Sequence, residues 1–459
     1  MTRGSTEISK RLAVILGLVI VCSGIQAYAI GPIPTTWITN QGFICIAALL
    51  AVRRQRLHFP GAWVWMLFVA WMFGVTLISI ISAKYVDLMP AETFLNYESY
   101  IALRIFNLFL FLCTVASVFA ILRSGHSDAL IGTIVWGATI LCIFAIYIYI
   151  AQVLELLEPP RTRIGTGGVE QGITFSHQFH RAMGATREPS HLAEWLVLPI
   201  TLCILYSQRA KYLHVALQLL VLLLTGSLLG ILGLSLGVIA ALSASRLWFA
   251  ITVKESQFLK KALLAVGVVI PIAVGTFYLV AAPTEGDAPE LLGPLWERFA
   301  PIMEEGNLRA TNRDYTYEFL DTKETSLVGE GLGHPNLELS QQLGIPVVAS
   351  LLSLYSSVLL SGGWIGLALL ASALLQPVVR LIKLGQLAVP RLSPANTVFV
   401  GYAGWLFIFG AHEDELSVMF GVAYGFLSFA IYQRDRIGVP GRSGVASGGR
   451  PTIEARNSG

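Results

Sequence analysis

Apolar residues run in long blocks separated by short polar breaks along almost the whole chain. An uninterrupted run of about 18 or more such residues satisfies its own backbone hydrogen bonds in lipid only as a helix. The blocks predict spans near 12–30, 35–52, 61–83, 100–122, 130–152, 191–207, 212–229, 231–250, 262–282, 363–383, 396–410 and 418–432, twelve in all. The expected fold class is all-α: a polytopic helical membrane protein forming a single transmembrane domain over residues 1–436. The first block, with Arg11 before it and Ala27-Tyr28-Ala29 at its end, also fits a cleavable signal, whose removal would leave the other spans unchanged. Beyond Arg436 the chain is rich in Gly, Ser and Arg without apolar periodicity, so 437–459 reads as a disordered cytoplasmic tail.

Two polar breaks, 153–190 and 283–362, exceed the roughly 2–8 residues that connect neighbouring helices in a bundle. Basic residues decide which side they occupy. With both termini inside, 21 of the 31 Lys and Arg fall on the cytoplasmic side, 9 fall outside and Arg104 lies within a span. The two long loops are therefore expected at the periplasmic face of a bacterial inner membrane. Only 13% of the residues are charged, against roughly 25% in soluble domains, which excludes a water-soluble fold. All five cysteines lie inside apolar blocks, where they read as core packing and not as a disulfide scaffold.

Eight of the outer basic residues concentrate in the two long loops, Arg161, Arg163, Arg181, Arg187, Arg309 and Arg313 among them. The first loop ends in His180-Arg181-Ala182-Met183-Gly184-Ala185-Thr186-Arg187-Glu188-Pro189-Ser190 directly before a span, and Pro189-Ser190 looks like a helix start. A helix N-terminus flanked by arginines suits a phosphate or pyrophosphate, while snorkelling interfacial arginines are the plainer alternative. The second loop carries Arg309, Arg313 and Tyr317, then Gly329-Glu330-Gly331-Leu332-Gly333-His334-Pro335-Asn336. No strand-then-helix context supports a nucleotide-binding glycine loop there. His412-Glu413-Asp414-Glu415 forms the short loop between the last two spans, and because consecutive residues do not face one centre on a helix, a solvated loop is preferred and no metal site is expected. Arg104 should face the bundle interior or the outer interface; Glu98 is not on its face, which leaves a lipid phosphate as its expected partner.

Taken in order, these segments resemble the O-antigen polymerase and ligase superfamily, including the Wzy-type polysaccharide polymerases, over roughly residues 60–432. The resemblance rests on Arg181, Gly184 and Glu188-Pro189-Ser190 before a span, Arg313 and Tyr317 ahead of Gly329-x-Gly331, and Gly362-Gly363-Trp364-Ile365-Gly366 opening a later span. The histidine that ligases of this family carry before the last glycine motif is missing, since Leu352-Ser353-Leu354-Tyr355 stands there, and the Ser-Arg pair after the seventh span is replaced by Ser227-Leu228-Leu229-Gly230. Both departures favour polymerase over ligase. The resemblance implies about twelve spans with two long periplasmic loops in a GT-C-like membrane glycosyltransferase architecture. It implies polymerisation of undecaprenyl-pyrophosphate-linked repeat units for O-antigen or exopolysaccharide, with the ligase reaction as alternative and a lipid-linked glycan flippase as the rival of another class. The implied partners are the lipid-linked donor and acceptor, the bilayer, and a chain-length regulator and flippase, with no nucleic acid and no cofactor. Arg181 and Arg313 are expected on the pyrophosphate, supported by Arg187, with Glu188, His334 and His412 as candidates for the general base and Arg309, Tyr317 and Arg104 as substrate contacts.

Overall fold

The computed structural model describes residues 3–31, 33–53, 57–82, 85–91, 96–154, 156–163, 181–206, 210–245, 314–383 and 394–437. The expected ninth span, 262–282, much of the second long loop and the tail after 437 lie outside them. The helices are α1 (Arg3–Cys22), α2 (Thr35–Val52), α3 (Ala62–Ile81), α4 (Tyr97–Arg123), α5 (Ser127–Val153), α6 (Pro189–Leu205), α7 (Lys211–Leu224), α8 (Leu228–Ser245), α9 (Asp314–Thr322), α10 (His334–Leu343), α11 (Leu354–Lys383), α12 (Pro394–Ala411) and α13 (Val418–Ile437). Each of the other eleven apolar blocks overlaps a described helix. Among the described residues five helices, α2, α3, α4, α5 and α11, are long and apolar enough to cross a membrane by length and composition, and α6, α7, α8, α12 and α13 contain shorter apolar stretches. Ile78, Ile81, Trp63, Leu213 and Ile140 are each more than half exposed, an outer surface that suits hydrocarbon better than water.

The first block departs from expectation. Its helix begins upstream, at Arg3, and stops at Cys22 instead of continuing to residue 30. Gly24 and Ile25 donate N–H bonds back to Val21 and Cys22 in tight turns, and the N–H groups of Gln26 and Ala27 both reach the carbonyl of Ala185 at 2.8 and 2.9 Å. That pairing closes the segment after α1 onto the one preceding α6. A short ribbon, β1 (Ala29–Ile30) against β2 (Ile33–Pro34), then turns the chain into α2.

Inside the bundle α12 packs on α8, α6 and α13, α13 on α4, and α11 on α3. Helices α8 and α12 approach each other closely. A Cβ on Gly237 would lie 2.2 Å from the carbonyl oxygen of Val400, and one on Gly404 would lie 2.7 Å from that of Gly233, so these glycines set how near the backbones come.

Helix α11 is broken. Gly363 sits at φ 68°, ψ −171°, so the glycine motif expected to open a span instead interrupts a helix that starts nine residues earlier. The groups freed by the break are taken up by the stretch before α10: Glu330 and Gly331 donate N–H bonds to the carbonyls of Leu360 and Ser361, while Trp364 and Ile365 donate to those of Ser326 and Leu327. Irregular backbone inside an apolar bundle persists only when protein satisfies it in this way. A Cβ on Gly329 would fall 2.4 Å from the nitrogen of Gly363, and one on Gly363 would fall 2.3 Å from the oxygen of Leu327. The two glycine motifs are thus halves of one joint.

Candidate functional site

The turn between α12 and α13 corrects the expectation of a solvated loop. Its four polar residues turn inward toward three different sets of partners, because outside a helix successive side chains splay in different directions. His412 Nδ1 lies 2.6 Å from Glu194 Oε1 of α6. Glu413 hydrogen-bonds the same Glu194. Asp414 Oδ2 accepts from the side-chain amide of Asn336 at 3.1 Å and from the backbone N–H of Leu351 at 3.3 Å. Glu415 pairs with Arg104 and accepts from the Asn107 side-chain amide. The partner of Arg104 is therefore a carboxylate 311 positions away and not a lipid phosphate.

Glu194 is 2% exposed and His412 12%. Burial, reinforced by the neighbouring Glu194 carboxylate, pushes the Glu413 carboxyl well above the usual range. Two carboxylates this close in a dry site resist ionising together and hold a proton between them. An imidazole beside such a pair can exchange protons with whatever reaches it.

The cluster borders a cavity of about 170 Å³ where the end of α1, the start of α2, the start of α6 and the 412–417 turn meet. Asn40, His191, Glu194, Trp195, Trp405 and Glu413 are among its walls. His191 Nδ1 and Trp405 Nε1 are buried with no hydrogen-bond partner among the described residues. His191, on the first turn of α6, stands with its ring centroid 5.4 Å from that of His412.

The arginine-rich segment leads straight into this site. Glu188 is the residue capping α6, Pro189 begins it as the sequence predicts, and Ser190 Oγ donates to Glu188 Oε2 at 3.3 Å. Arg187 is exposed, while Arg181 Nε donates at 2.6 Å to the carbonyl of Thr225 in the α7–α8 turn. Gly184 has φ +52° and a Cβ there would lie 2.8 Å from that of Ala145, so the segment lies flat on α5. Arg161 bonds the carbonyls of Thr186 and Gly184, and Arg163 that of Gln26. Burial, with Arg187 adding to it, lowers Arg163 to about 10.

His334 belongs to a different environment. It opens α10 with its side chain fully buried, Nε2 2.7 Å from the Tyr97 hydroxyl and Nδ1 2.5 Å from the carbonyl of Glu330. Its ring stacks on Tyr85 at 4.2 Å. With both nitrogens engaged it has no free position for a substrate proton, which removes it from the general-base candidates. Arg104 joins the two regions, donating from Nε to the Tyr100 hydroxyl, which in turn donates to the carbonyl of Gly333. Arg309 and Arg313 lie outside the described residues, and of Tyr317 only the backbone, in α9, is described.

His191 and Glu194 belong to none of the motifs that stand out in the sequence. Their spacing, three apart at the head of an apolar helix, puts both on one face, and an ionisable residue within an apolar block is itself a signal of function.

Protein-family models, characterised proteins and solved structures offer no match to this chain. Fold and site together define a class: a helical bundle with apolar helices of membrane length that holds a buried histidine–carboxylate–arginine cluster against a cavity.

Proposed function

We propose that this chain is a bacterial inner-membrane glycosyltransferase that polymerises undecaprenyl-pyrophosphate-linked repeat units at the periplasmic face, with about twelve spans and both termini cytoplasmic. One observation carries it: the Arg181–Ser190 segment that runs into the head of α6 and the 412–415 turn, far apart in sequence, adjoin at a buried imidazole–carboxylate cluster beside a cavity.

The reaction this supports is displacement at an anomeric carbon. The acceptor hydroxyl oxygen forms the new glycosidic bond as the bond to the pyrophosphate oxygen breaks. Undecaprenyl pyrophosphate leaves as an anion, neutralised by Arg181 and Arg313 with Arg187 in support. The hydroxyl proton passes to Glu194, the buried carboxylate beside His412 and Glu413, and Glu188 remains available at the head of α6. Removing one preorganised charge-stabilising group of this kind typically costs about 10²–10³ in rate.

Lipid-linked glycan flipping is favoured by a different observation. Helix α11 is broken at Gly363, and charged groups sit inside the bundle at Glu194 and at the Arg104–Glu415 pair. Broken helices and interior charges are the marks of transporters. Surface polysaccharide from a strain lacking the protein separates these possibilities. Polymerase loss is expected to leave single-repeat product on the outside. Free lipid-linked polymer would mark a ligase, and accumulation on the cytoplasmic side would overturn glycosyl transfer in favour of flipping.

A further inference from the structure

We propose that His191, His412 and Glu413 bind a divalent cation of the zinc class. One ligand atom from each of the three lies within 4.8 Å of the other two. They come from two elements, the first turn of α6 and the α12–α13 turn, so the fold and not sequence adjacency assembles the set. Two imidazoles and one carboxylate are a donor set that open zinc sites use, leaving a fourth position for water or substrate. Zinc–ligand bonds of about 2.0–2.2 Å place ligand atoms roughly 3.3 Å apart, so binding draws the three together by at most about 1.5 Å.

A second observation points to a ligand independently of that spacing. His191 Nδ1 is buried without a hydrogen-bond partner among the described residues, in the wall of the 170 Å³ cavity. A buried nitrogen in this state is costly, and a bound ion would supply its partner. The surroundings suit a metal ligand as well. Glu194, with Oε1 2.6 Å from His412 Nδ1, places a further carboxylate directly beside the ligand set. Two adjoining buried carboxylates, Glu194 and Glu413, offset a divalent charge. Against the site stands the positive charge of Arg187 and Arg163 near His191. Arg187 is exposed and screened by solvent, and Arg163 directs its guanidinium to the carbonyl of Gln26.

The open position faces a cavity with room for water or a hydroxyl. If glycosyl transfer is the reaction, a sugar hydroxyl bound there would lose its proton more readily, which is how a Lewis acid prepares a nucleophile. Only that consequence rests on the proposed function; binding does not.

The test uses the full chain in detergent, stripped with EDTA and then titrated with Zn²⁺ against a chromophoric chelator. One equivalent is expected to bind, weakened at least about 100-fold by His191→Ala or Glu413→Gln and about 10–100-fold by Glu194→Gln. Loading Co²⁺ instead should give the visible absorption of a four-coordinate site with nitrogen donors, a readout that needs no variant to fold. Zinc affinity unchanged in folded His191→Ala protein, or stoichiometric Co²⁺ showing only the pale octahedral spectrum, would overturn the site.

Discussion

Two histidines expected in the same chemical role occupy opposite kinds of environment. His334 is sealed: stacked on Tyr85, bonded at both ring nitrogens and without exposed surface. His412 stands behind the cavity walls formed by His191, Glu194 and Glu413, one nitrogen 2.6 Å from Glu194 and a ligand atom within 4.8 Å of those of His191 and Glu413. Both lie beside glycine-rich or acidic sequence, and neither pattern distinguishes them. What separates them is whether every polar atom already has its partner. A satisfied histidine holds a fold together, whereas one that adjoins a cavity and an unsatisfied nitrogen has capacity left for chemistry.

Arg104 links the two regions, so its removal should have the largest effect. Arg104→Ala leaves the partly buried Glu415 without its cation, and with Glu415 about a third exposed the loss falls at the low end of the buried-pair range, about 3 kcal/mol. Thermal unfolding in detergent should show a large drop, and adding Glu415→Gln should recover much of it. A stability unchanged by Arg104→Ala would mean that the two regions are not joined through this pair. His334→Ala should come next, at about 2–4 kcal/mol from the lost hydrogen bonds and the space left beside Tyr85. Its activity per folded molecule should stay near that of the unaltered chain. A fall of more than tenfold at equal folded fraction would put His334 back among the reacting groups.

The helices were legible because apolar length alone forces helix in lipid, and α3, α5 and α13 fall close to the expected spans. The end of α1 was not legible, because it is decided by the carbonyl of Ala185, a contact no local pattern announces. The break in α11 was half legible. Gly362-Gly363 stood out, but the backbone that completes it lies around Ser326–Gly331, and the pairing exists only in three dimensions. At the site, Arg104 stands out in the sequence as an intramembrane charge, whereas its partner, Glu415, reads as part of a solvated loop. Consecutive spacing within 412–415 cannot make a centre, and the component that sequence does not supply there is His191 from another helix. The cue was present in His191-x-x-Glu194, two ionisable residues on one face of an otherwise apolar helix.

The most direct test of the claim that this cluster performs glycosyl transfer is an assay of the purified full chain in liposomes with undecaprenyl-pyrophosphate-linked repeat units and no nucleotide, read as a product ladder. The unaltered chain should extend the ladder. Glu194→Gln, nearly the same in shape, should reduce the rate by about 10²–10³ while the protein remains folded. A ladder extended equally well by Glu194→Gln, or no ladder from folded unaltered protein, would contradict the account.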